Sequence, residues 1–166
     1  IYWHMNSKLL LAVQETFFKA IQDKDTSKNI QSLGKFYYKI RSGLSSNKTP
    51  SEYGAFPFDP YSHTPDHSGA QQPGMTGQVK EEVITRFGEL GLFIREGKII
   101  FKPYLLRKSE FLNKKSTFLI INTKKVREEI PLSKNQLAYT FCQIPIIYNL
   151  CDKKSWFIEI NYRPNN

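Results

Sequence analysis

Cysteine is scarce in this chain: only Cys142 and Cys151 occur in 166 residues. Neither CxxC nor a Cys/His zinc spacing is present, which excludes the common structural zinc modules. Cys142 falls in an apolar, strand-like run and is expected to be a buried small hydrophobe rather than a reactive thiolate. A Cys142–Cys151 disulfide remains open. No apolar run reaches the ~18 residues of a membrane span. The run Leu9–Val13 is short, follows His4 and Lys8, and lacks a small-residue cleavage site. Also missing are GxSxG, GxGxxG and GxxxxGK[ST], so the serine-elbow, dinucleotide-loop and P-loop chemistries have no sequence support. No metal or cofactor is expected.

Aromatic residues are plentiful at 14%, and 40% of the chain is hydrophobic, enough for a packed core. Net charge is +9. The lysines are spread: Lys24, Lys28, Lys35 and Lys39, then the pairs Lys114-Lys115, Lys124-Lys125 and Lys153-Lys154 between apolar runs. That pattern reads as solvated turns and helix faces. Neither nucleic acid nor a membrane is expected as a partner, and no localisation is assigned between cytoplasm and periplasm. The chain opens at Ile1 inside a helical pattern, so a fragment of a longer polypeptide is expected.

The first third is helical by period. Met5, Leu9, Ala12, Val13, Phe17, Ala20 and Ile21 line one face of a first helix. Asp25, Thr26 and Ser27 break it and offer caps for a second, with Ile30, Leu33, Phe36, Tyr37 and Ile40 apolar and Gly43 as its stop. A third helix is expected from about Gly77 to Leu90, with Thr76 as N-cap and Val79, Val83, Phe87 and Leu90 inward; Gly88 and Gly91 suggest its end. Beyond it the period changes to two. Leu92–Arg95, Glu96-Gly97 and Lys98–Phe101 form a hairpin signal. Further strands are expected over 117–122, 125–130, 137–143, 146–148 and 156–162, with Pro145 marking an edge or bulge. The fold class is therefore α+β: a helical part, 1–91, carrying a long loop at 44–76, then an antiparallel β layer or small β-sandwich at 92–166.

The chemistry concentrates in residues 53–78, which follow neither period. A loop this long inside a domain is functional or disordered. Tyr53, Phe56, Phe58 and Tyr61 supply anchors that disordered segments lack, and Pro57, Pro60, Pro65 and Pro73 stiffen it. Asp59 and Asp66 have the groups for acid–base work, although Asp beside Pro is first of all turn chemistry. His63 and His67 sit four apart with Pro65 between, so an ordinary helical zinc pair is out. Hydrogen bonding to a sugar, an anion or the loop itself is preferred to metal binding. Gln71, Gln72 and Thr76 lead into a helix N-terminus, where free amides favour anions or polar oxygens. Glu81 and Glu82 suit the dipole of the first turns, and one of them can also face a site. Trp3 and His4, with Tyr2, are a stacking platform for sugar rings or ordinary core.

With these residues assembled, the chain resembles the C-terminal portion of large bacterial glycoside-hydrolase-type proteins with an (α/α)6 barrel. The likeness runs through Tyr2-Trp3-His4-Met5, Lys48-Thr49-Pro50, the Tyr53–Gln78 stretch, Lys80-Glu81-Glu82, Arg86-Phe87-Gly88-Glu89-Leu90-Gly91 and Leu137–Gln143. A looser similarity is to inverting disaccharide phosphorylases, matched by His67-Ser68-Gly69, Thr76-Gly77 and the stretch Leu90-Gly91 through Gly97 to Pro103. The resemblance implies that the three helices are the last of a barrel. It also implies that His67 and Thr76 stand where the phosphorylases bind phosphate, although Gln71-Gln72-Pro73 replaces their aromatic-rich stretch. It places the catalytic general acid upstream, so this chain alone is expected to be inactive. The implied function is one wall of a sugar-binding cleft in a carbohydrate-active enzyme. Asp59, Asp66, Glu81 or Glu82 would supply at most one of the two catalytic carboxylates. Trp3, His4, Tyr61, His63, His67, Gln71, Gln72 and Thr76 would contact an oligosaccharide or polysaccharide. The alternative is a non-catalytic carbohydrate-binding or assembly module that docks with a missing barrel segment or partner chain.

Overall fold

The computed structural model describes residues 2–44, 77–151 and 157–161, leaving aside the side chains of 2–4 and 77–79. Its described elements are three α-helices, α1 (Tyr2–Gln22), α2 (Ser27–Arg41) and α3 (Gly77–Leu90), a short 3-10 turn (Lys108–Glu110) and six strands. These are β1 (Leu92–Arg95), β2 (Lys98–Phe101), β3 (Ser116–Ile121), β4 (Arg127–Leu132), β5 (Gln136–Phe141) and β6 (Ile144–Asn149). The class is mixed α+β. Two compact units form, Ile1–Leu106 and Arg107–Asn166. The first hairpin and the segment after it thus belong with the helices, and the division falls beyond the compositional change at Gly91.

In the first unit α1 and α2 make an antiparallel hairpin. Thr26 caps α2 in extended conformation, its side chain accepting from the Asn29 amide at 3.3 Å. Asp25 accepts from the Thr26 amide at 2.6 Å and from the Asn29 side chain at 3.0 Å, which satisfies the turn. Leu10, Phe17, Tyr37, Leu44 and Leu105 form the core, with Val13, Ile21, Ile30 and Leu33 packed on it. The Tyr38 hydroxyl donates to the Leu105 carbonyl and ties the segment after β2 to α2.

The inward faces differ from the apolar pattern. On α1 the buried stripe is Ser7, Leu10, Gln14, Phe17 and Ala20, while Met5 is 60% and Leu9 50% exposed. On α2, Tyr37 is inward and Phe36 outward. On α3 the buried residues are Thr85, Gly88, Glu89 and Leu90, whereas Val83 and Phe87 face out. Polar side chains bonding across the three helices rotate each stripe toward one another. Gly88 lies within α3 rather than at its end, because a Cβ there would stand 2.2 Å from the Gln14 amide oxygen. Gly91 ends the helix at φ +71.

The expected β1–β2 hairpin forms, in register from Leu92↔Phe101 to Arg95↔Lys98. Glu96 and Gly97 both take positive φ, as a primed two-residue turn requires. In the second unit β3 pairs with β4 and β5 with β6, both antiparallel. Across the described residues these are three separate two-stranded sheets rather than one continuous layer. Ile120, Leu132 and Leu137 are the buried apolar residues of β3 to β6. The Asn122 side-chain oxygen accepts from the amides of Lys124 and Val126, at 2.9 and 3.0 Å, and closes the β3–β4 turn. Pro145 pairs with Thr140 without a bulge.

The run 137–143 is not one strand. It breaks at Phe141, and Cys142 and Gln143 form a tight turn at φ 49 and 64. Cys142 is therefore exposed, not a buried hydrophobe, and both cysteines are free. Of the strand expected over 156–162, the described residues 157–161 carry no strand.

Candidate functional site

The described part of the helical unit is built around a buried carboxylate. Glu89, 1% exposed on α3, accepts the Tyr37 hydroxyl at 2.5 Å and Arg41 Nε at 2.6 Å on Oε1, and Arg86 Nη1 at 2.7 Å on Oε2. Gln14, 3% exposed on α1, donates to the Tyr37 hydroxyl at 3.2 Å and to the Thr85 carbonyl at 2.8 Å. Burial pushes the Tyr37 phenol well above its usual range, and the adjoining Glu89 charge pushes it further. The phenol thus stays protonated and donates. Both carboxylate oxygens are committed to protein donors, which makes this network a brace between the helices and not a catalytic pair.

The brace also sets helix direction. Gln14 meets Thr85 and the space beside Gly88, and Phe18, one turn on, packs edge to face with Phe93 at 5.0 Å, just past α3. Helices α1 and α3 therefore run the same way and α2 runs opposite. Arg41 at the end of α2, the first turns of α1 and the start of α3 lie toward one end. Residues 44 and 77, which bound the candidate loop, belong to that end.

Two polar atoms toward this end are buried and lack a hydrogen-bond partner among the described residues: Ser7 Oγ on α1 and Glu81 Oε2 on α3. Glu81 is the one expected catalytic residue that the structure describes with its side chain. Trp3 and His4 lie in the first turn of α1, with side chains outside the described set. Asp59, Asp66, Tyr61, His63, His67, Gln71, Gln72 and Thr76 all fall outside the described residues. Among the described residues no group of His, Cys, Asp or Glu could hold a metal ion, and no helix is long and apolar enough to cross a membrane.

Gln14, Arg41 and Thr85 carry no role in the sequence pattern, Glu89 enters it only inside the matched stretch Arg86–Gly91, and Tyr37 only as an apolar position. Polar residues at core-facing helical spacing were the available signal. Ser7, Gln14, Thr85 and Glu89 fall on the buried stripes but do not score as apolar. No protein-family model matches this sequence, and no curated protein matches it.

Proposed function

We propose that this chain is the C-terminal part of a carbohydrate-active enzyme of the (α/α)6-barrel glycoside-hydrolase type. Its three helices would be the last of the barrel, and residues 53–78 one wall of a sugar-binding cleft. The observation that carries the reading is Glu81. Its Oε2 is buried without a partner among the described residues, toward the end of the helix pair where residues 44 and 77 lie. A surface carboxylate placed only to suit the helix dipole would stay solvated. Glycoside hydrolysis needs two carboxylates flanking the scissile bond, and Glu81 is suited to be one of them. Asp59 and Asp66 are the other acidic candidates of this chain, and Trp3, His4, Tyr61, His63, His67, Gln71, Gln72 and Thr76 the contacts to sugar rings and hydroxyls.

The second reading, a carbohydrate-binding or assembly module that docks on a barrel-bearing partner, is favoured by a separate feature. Met5, Leu9, Val83, Ile84 and Phe87 leave apolar surface exposed on α1 and α3, the kind of surface that a neighbouring helix layer covers. Calorimetric titration of neutral oligosaccharides against the wild-type chain and His67→Ala tests the shared element. Binding that weakens in the variant, with its fold intact, supports a sugar site. Equal affinity in both removes His67 from it, and no binding of any sugar removes the carbohydrate reading.

A further inference from the structure

We infer that Ser7 and Glu81 belong to one ligand subsite, which takes a neutral sugar hydroxyl in preference to phosphate or another anion. The inference rests on the carbohydrate reading above and narrows its chemistry. Ser7 is fully buried, and neither its Oγ nor Glu81 Oε2 has a hydrogen-bond partner among the described residues. Two other helical hydroxyls of this unit are satisfied by their own helix. Thr16 donates to the Ala12 carbonyl at 2.8 Å and Thr85 to the Glu82 carbonyl at 3.1 Å. Ser7 forms no such bond, and alanine would fill its place without burying an unmet hydroxyl. Buried polar atoms without partners are few in folded proteins, and each is expected to meet something.

The placement puts the two atoms toward the same end of the helix pair. Ser7 lies two turns before Gln14 on α1, Glu81 one turn before Thr85 on α3, and Gln14 bonds the Thr85 carbonyl. With the helices running the same way, both side chains lie toward the ends where the helices begin. Helical side chains also lean toward those ends.

The ligand class follows from donors and acceptors. An ionised carboxylate only accepts, while a serine hydroxyl donates and accepts. A sugar hydroxyl can donate to Glu81 and still accept from Ser7. Phosphate offers negative oxygens, and a carboxylate oxygen out of contact with water repels them more strongly than one in solvent. Glu82 adds a second negative charge in the same turn. A helix N-terminus attracts anions, and Glu81 and Glu82 near the start of α3 offset that attraction. Of the two chemistries in the resembled families, this favours an acceptor hydroxyl over phosphate.

The test uses the full chain, with Ser7→Ala and Glu81→Gln variants. Calorimetry would employ short neutral cello-, xylo- and malto-oligosaccharides, then inorganic phosphate. The expected result is binding of one neutral series, weakened about tenfold or more by each substitution, and no heat from phosphate. The ligand-free melting temperature of Ser7→Ala should equal or exceed that of wild type. Phosphate binding, or a Ser7→Ala variant that melts lower without ligand, overturns the inference, because the hydroxyl would then serve the fold. Sugar binding equal in wild type and both variants overturns it too, while leaving the carbohydrate reading in place. Failure of every neutral sugar to bind wild type removes that reading and this inference together.

Discussion

Replacing Glu89 by alanine should destabilise the helical unit more than any single surface change. The side chain is 1% exposed and takes three donors. Arg86, at 38% side-chain exposure, keeps access to water, and its share is under ~1 kcal/mol. Arg41, at 16%, is largely desolvated, and removing one partner of such a buried pair costs ~3–5 kcal/mol. The Tyr37 hydroxyl also loses its acceptor, although Gln14 still donates to it. A total of ~4 kcal/mol, at roughly 4 °C per kcal/mol for a unit of this size, lowers the midpoint by ~16 °C. Glu89→Gln keeps an acceptor but not the charge, and should cost about half as much. Exposed Glu15→Gln is the control, within ~0.5 kcal/mol of wild type. Thermal and urea unfolding followed by circular dichroism measure all three. A Glu89→Ala shift below ~4 °C, or equal costs for Ala and Gln, would refute the brace.

Alkaline pH should destabilise both units. Tyr37, Tyr139 and Tyr148 have phenols raised above the ordinary value of 10.0, each chiefly by burial. The unfolded chain therefore releases these protons first. Stability is full below pH ~10 and falls above it, by up to ~1.4 kcal/mol per pH unit for Tyr37 and by less for the half-buried, mutually bonded Tyr139 and Tyr148, as urea midpoints across that range should register. Tyr37→Phe should flatten the slope for the helical unit. Gly91→Ala should cost well over ~3 kcal/mol by thermal melts: position 91 has positive φ, and its Cβ would lie 2.2 Å from the Lys102 carbonyl carbon. Gly97→Ala, with positive φ but nothing within 4 Å, should cost ~1 kcal/mol. Cys142→Asn should raise the melting temperature of the second unit slightly, by ~0.5 kcal/mol, because a primed turn favours Asn where cysteine now holds φ 49.

Local signals were read well where the cause is local. The Thr26 cap, the Glu96-Gly97 turn and the extent of α3 depend on a few neighbouring residues, and all three appear as expected. Reading inward faces from apolarity alone misplaced Met5, Leu9, Val83 and Phe87, because the true stripes carry Ser7, Gln14, Thr85 and Glu89. Cys142 was misread for a similar reason. An apolar run does not reveal a hairpin turn when the turn residues are neither glycine nor asparagine. Of the candidate site, Glu81 was legible as an acidic residue in an early helical turn. Its lack of a partner depends on what surrounds it and was not.

The sequence by itself determined the order of elements and the change from helical to strand period, since these follow from spacing along the chain. Tertiary structure alone decided which helix faces meet, where the units divide, and that Glu89 is spent on Tyr37, Arg41 and Arg86 while Ser7 and Glu81 are left without described partners. The physical reason is range. Periods and caps are set within a few residues, whereas a buried polar group finds or lacks its partner among residues far away in sequence, such as Tyr37 and Glu89.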